Sequence, residues 1–176
     1  MDNQLLRAKE LFTSYHGSTL HMYREGDLEE YREYNIPKDM EIEWFKEMID
    51  QYTRELSIRD WNAVEHLDLI ADHYPDASIL KNIESFASRN VMSSDSIVKL
   101  MFAEKMIDII KKTKKHIPEE LLIEAYKTTY IILNEIMNKP LIIDPGHELE
   151  QYNLKDKKSL NNRAKRSIEN LKNELN

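Results

Sequence analysis

Ile36-Pro37-Lys38-Asp39, Tyr74-Pro75-Asp76-Ala77 and Ile117-Pro118-Glu119-Glu120 are the stretches that decide the fold. In each, a large apolar residue precedes a proline, and a helix-forming segment follows. Proline is tolerated in the first turn of a helix, where its missing N–H would be unpaired anyway. Acidic residues just after it suit the positive end of the helix dipole. Each proline therefore marks a junction where one helix ends and another begins. The three prolines lie 38 and 43 residues apart.

Working outward from these junctions, apolar spacing predicts helices over 2–15, 27–35, 38–56, 59–74, 76–89, 94–115, 118–138 and 156–175. Gly17 stops the first helix. Asp27 caps the second, and Ser94 or Asp95 caps the sixth. Residues 16–26 have no helical period and read as a loop or a short turn of helix. Residues 97–110 and 121–137 are apolar on nearly all sides, so this pair is expected at the centre of the core. Leu141-Ile142-Ile143 reads as an extended segment laid over that core, since no partner strand is available. The last helix has an apolar stripe at Leu160, Ala164, Ile168, Leu171 and Leu175, as a capping helix needs.

The segments also match one another. Ala63, Leu67, Asp68, Leu69 and Ile70 align with Ala103, Ile107, Asp108, Ile109 and Ile110 at an offset of 40 residues. Ile42 and Phe45, Leu80 and Ile83, and Ile123 and Tyr126 lie five and eight residues past their prolines, on one helical face. A period near 40 in helix pairs resembles HEAT and armadillo repeats. The expected fold is a single all-α domain of stacked antiparallel helical hairpins, either a HEAT-like solenoid or an irregular bundle. Residues 1–26 form an N-terminal helix and His/Tyr loop, 27–137 three hairpins, and 138–176 an extended segment and a basic helix.

Composition excludes several classes. There are no cysteines, hence no disulfide, thiolate zinc site or cysteine nucleophile. Only Gly17, Gly26 and Gly146 are available, so no Rossmann, P-loop or nucleophile-elbow motif can be drawn. No secretory signal or membrane span is visible, and the expected location is the cytoplasm. The net charge is −7. It is uneven: residues 155–176 carry seven basic groups against three acidic ones, over a strongly acidic body.

Four groups of side chains could carry chemistry. His16 and His21, with Glu25 or Asp27, could hold a metal, although the spacing fits no zinc signature. His66 and His73 are seven residues apart on one helix, too far to chelate one ion unaided. Glu65, Asp68 and Asp72 share a face that reads as a solvated stripe. Nine of the fifteen aromatic residues lie between Phe12 and Trp61, in a region where residues 25–50 hold ten Asp/Glu and three Lys/Arg. Such a surface suits a basic protein partner. The run Lys111-Lys112-Thr113-Lys114-Lys115 complements the end of its helix.

The expectation is a non-catalytic helical protein-interaction or regulatory module with no cofactor. Its contact candidates are Tyr15, His16, His21, Tyr23, Arg24, Tyr31, Tyr34, Trp44 and Trp61. One alternative is a metal-binding protein or enzyme using the loop His16–Glu25. A second is nucleic-acid contact through the basic C-terminal helix.

Overall fold

The computed structural model describes residues 3–176, and among these there are nine α-helices and no strand. They are α1 Asn3–Ser14, α2 Thr19–Glu25, α3 Leu28–Glu33, α4 Lys38–Glu55, α5 Asn62–Ala71, α6 Ala77–Asn90, α7 Ser96–Thr113, α8 Glu119–Asn138 and α9 Lys157–Leu175. The expected start of the first helix at residue 2 lies outside the described residues. None of the described helices is long and apolar enough to cross a membrane.

Local chemistry sets most of the helix starts. The side chains of Asp76, Asp95 and Asp156 accept the N–H groups of Ser78, Val98 and Ser159 at 2.8, 2.7 and 2.8 Å. These bonds satisfy donors that the first turn leaves unpaired. The prolines sit before the first turn rather than within it. Pro37 and Pro118 occupy the cap positions in extended backbone, with ψ of 145° and 146°, and Pro75 directly precedes the cap Asp76. There the ring fixes φ and turns the chain, and no helical hydrogen bond is lost.

The helices from α4 onward lie in two rows. α4, α6 and α8 pack side by side in one row, and α5, α7 and α9 in the other. Each helix also packs on its neighbours in sequence, so the chain zigzags between the rows. The segments that align at an offset of 40 residues, α5 and α7, are therefore side-by-side neighbours in one row. The first proline junction behaves differently. α3 packs on α1 and α2, while α4 pairs with α5 across the 56–61 connection. α1, α2 and α3 thus close one end of the rows.

α7 is the central helix. Twelve of its eighteen residues are buried, among them Leu100, Phe102, Met106, Ile109 and Ile110. The expectation for α8 needs correction. It buries Ala125, Thr129, Ile132, Leu133 and Ile136, but Ile123, Tyr130 and Ile131 are exposed on its outer face. It lies at the side of the core, with packing from α6, α7 and α9 but none on that face. α9 lays Leu160, Ala164, Ile168 and Leu171 on the core, as a capping helix should; Leu175, the last residue of the expected stripe, is exposed.

Two polar connections cross the core. Asp68 of α5 is buried, not solvated, because Lys105 and Lys112 of α7 cover it at 3.2 and 2.7 Å. Arg163 of α9 grips Glu104 of α7 with two bonds of 2.8 Å, a bidentate geometry that fixes register. Lys114 of the basic run bonds Glu174 at 2.9 Å.

The two faces of α8 give a direct check. Leu133→Ala should cost about 2–5 kcal/mol in urea unfolding, because its site cannot collapse fully. Ile131→Ala, two residues away, should cost under about 1 kcal/mol. Equal costs would mean that α8 is not seated as described.

Candidate functional site

The corner between α1 and α2 brings together residues that are far apart in sequence. The backbone of His16 and Gly17 is left-handed, with φ of 52° and 77°. A β-carbon on Gly17 would lie 2.3 Å from the Phe45 ring, so only glycine fits there. The bend carries His16 onto α4 and α5. Its ring stacks on His66 with centroids 4.8 Å apart, and His66 stacks in turn on Tyr52 at 4.6 Å. The Tyr52 hydroxyl lies 3.4 Å from His16 Nε2. Nδ1 of His66 is buried without a hydrogen-bond partner.

The two histidine pairs that look separate in sequence are therefore one cluster. Burial, with His66, His21 and His73 as neighbours, pushes the His16 imidazole down to about 4. Burial also lowers His73; Asp72 opposes that shift, and His21 and Lys112 add to it. His16 and His66 meet ring face to ring face, so their nitrogens do not converge on a common point as metal ligands must.

α2, absent as a defined helix from the sequence reading, is capped by Ser18, whose Oγ accepts the His21 N–H at 3.3 Å. It ends at Gly26 in left-handed conformation. Met22 is its one buried side chain; Leu20, His21, Tyr23 and Arg24 are all exposed. Tyr23 is 69% exposed and Leu20 55%. At i and i+3 they share a face of the helix.

The remaining expected contact residues are placed differently. Trp44 and Tyr31 are buried around Phe12, with centroids 5.4 and 6.0 Å from its ring. Tyr15 donates its hydroxyl to the Asp27 carboxylate, which with some burial pushes the phenol up to about 12. Tyr31 and Tyr34 donate to Glu41 and Glu30 at 2.7 and 2.9 Å. Much of the acidic, aromatic composition of this region is thus spent on internal tyrosine–carboxylate bonds. Even so, Glu25, Glu29, Glu33, Asp39, Glu43, Glu47 and Asp50 are exposed.

Trp61 marks a second cluster, which sequence reasoning missed. Its ring lies 5.7 Å from His147 and 5.4 Å from Tyr152. His147 Nδ1 donates to Oδ2 of buried Asp95 at 2.6 Å, and the Asp144 N–H donates to the same oxygen at 3.0 Å. Among the described residues, Asp95, Asp144 and His147 are the one group of three whose ligand atoms come within 4.8 Å of one another. Yet both Asp95 oxygens already accept N–H groups, Oδ1 from Val98 and Oδ2 from Asp144 and His147. The positive end of α7 also opposes a cation there. The cluster is a clasp. It pins residues 139–147 to the start of α7, helped by the Ser96 N–H donating to Ile142 O at 2.8 Å. The sequence signal was the Asp-Pro-Gly-His turn after a short apolar run.

The exposed cations of the C-terminal helix are Lys158, Lys165, Arg166 and Lys172, while Arg163 is taken by Glu104. Comparison with protein-family models, with characterised proteins and with solved structures finds no match to this chain.

Two measurements check these sites. Asp95→Ala should cost about 2–4 kcal/mol, from loss of a helix cap and of bonds to a buried carboxylate. It should also strip hydrogen-exchange protection from the Asp144 amide; retained protection would refute the clasp. For His16, the folded pKa near 4 lies below the ordinary value of 6.5. The unfolded chain thus binds the proton first. The stability linked to His16 is full above about pH 6.5 and is lost as pH falls toward about 4. Urea midpoints across this range should fall with pH in the native chain, and less so in His16→Asn.

Proposed function

We propose that this chain is a non-catalytic protein-interaction module, built of stacked helical hairpins in the HEAT-like manner, that binds a basic protein segment through α2. The observation that carries this reading is Tyr23 beside Leu20, both more than half exposed on one face of α2. Tyrosine supplies a large contact area at low entropic cost and is favoured at binding hot spots. The exposed carboxylates of residues 25–50 give the same N-terminal region the charge that draws a cationic partner.

The two-row packing supports the same reading. Helices stacked in rows form a rigid, extended body on which a short surface helix can be held in place. The partner chemistry that fits is a lysine- or arginine-rich segment with one aliphatic residue to set against the Tyr23 ring. Arg24 and His21, also exposed on α2, select against an indiscriminate polycation.

An array of lysine- and arginine-rich peptides, with and without an aliphatic residue, tests this. Native protein should retain the peptides that carry both features, and binding should weaken with added salt. Tyr23→Ala combined with Leu20→Ala should lower affinity by about tenfold or more. Ile131→Ala, on the outer face of α8, should leave it unchanged. Equal retention by native protein and the α2 variant would defeat the proposal.

A further inference from the structure

We infer that the α1–α2 corner is an acid-released latch, in which His16 stacked on His66 beside Tyr52 holds the bend from which α2 projects against α4 and α5 while the imidazoles are neutral. The inference rests on the reading of the Tyr23 face as a contact surface, which it supplies with a means of regulation.

The geometry is that of a hinge closed by rings. His16 and Gly17, both left-handed, form the centre of the bend between α1 and α2, flanked by Tyr15 and the cap Ser18. Three rings in succession, His16, His66 and Tyr52, stack at centroid distances of 4.8 and 4.6 Å. Such stacking favours uncharged imidazoles, because two imidazolium rings at this distance repel and shed their water on closing. A proton on His16 Nε2 also removes the acceptor that faces the Tyr52 hydroxyl.

The groups that face His16 come from every element packed around the corner. α5 presents His66, the turn after it His73, α2 His21 and α4 Tyr52. Further out, Asp72 beside His73 is a carboxylate, but it is bonded to Lys112 of α7 at 2.9 Å. The neighbours that act on the His16 charge are thus three other imidazoles, each of which adds to the repulsion once protonated. A charge gained here has no counter-ion to turn to. The response that the backbone allows is rotation about His16 and Gly17, which lifts α2 away. Four of the chain's six histidines take part. Their gathering from three separate helices and turns is what makes the response cooperative in pH.

The test is hydrogen exchange of the full chain between pH 7.5 and 4.5, corrected for the intrinsic effect of pH on exchange. Protection of amides in residues 15–26 should fall by about tenfold or more as pH drops, while α7 and α8 amides keep theirs. His16→Asn tolerates a left-handed backbone and cannot charge in this range, so its corner should show the same protection at both pH values. His66→Phe keeps the stack and should move the opening to lower pH. A flat response in the native chain, or a native-like response in both variants, overturns the latch. The peptide array run at pH 7.5 separates the two readings. Loss of peptide binding there with an acid-opened corner sinks the partner proposal alone. Peptide binding with a corner that never opens sinks the latch alone.

Discussion

An eighteen-residue helix with twelve buried residues must be covered on most of its sides, and the arrangement of its neighbours follows from how α7 meets that demand. α5 and α9 cover it within its own row, and α6 and α8 cover it from the other. Two polar fixings set where its neighbours sit. Lys105 and Lys112 reach Asp68 of α5, and Glu104 takes Arg163 of α9. Each buried apolar side chain along α7 contributes about 1.5–3 kcal/mol relative to exposure, so α7 sets the positions of the helices around it. The N-terminal helices stand outside this system, held to α4 and α5 by Phe12, Phe45 and the ring stack.

Several charges that look free in the sequence are turned inward. The basic run at the end of α7 and the basic last helix look, in sequence, like surfaces for an anionic partner. Lys112 and Lys114 are instead bonded to Asp68, Asp72 and Glu174, and Arg163 to Glu104. The acidic N-terminal region likewise uses Asp27, Glu30 and Glu41 to hold tyrosine hydroxyls. What remains exposed includes the carboxylate set, the apolar pair on α2, four cations of α9 and the outer face of α8.

The row architecture was legible because its signals are local: a proline and a cap at each junction, and apolar residues at helical spacing between them. Asp95, Asp156 and the stripe from Leu160 to Leu171 announce α7 and α9 without any long-range information. α2 was not legible, since a seven-residue helix that buries only Met22 leaves no period to detect. The clasp at Asp95 joins residues 52 apart in sequence, and the ring stack joins His16 to His66. Such pairings depend on which helices become neighbours, which spacing along the chain does not encode. Asp68 was misread for the same reason: its burial comes from lysines supplied by another helix.

The zigzag between rows bears on how the chain reaches this state. From α4 to α9, each helix touches partners one or two helices away along the chain, so none of these contacts spans the whole run. Loop closure over such lengths costs little entropy, and topologies of this kind fold fast. Assembly can start at α7 and α8 and spread in both directions, with each added helix finding a surface already formed. The clasp of residues 139–147 on Asp95 follows only once α7 and α8 stand side by side. The ring-stacked corner lies outside the two rows, and a part of a structure that only borders the central packing can be undocked without unravelling the rest.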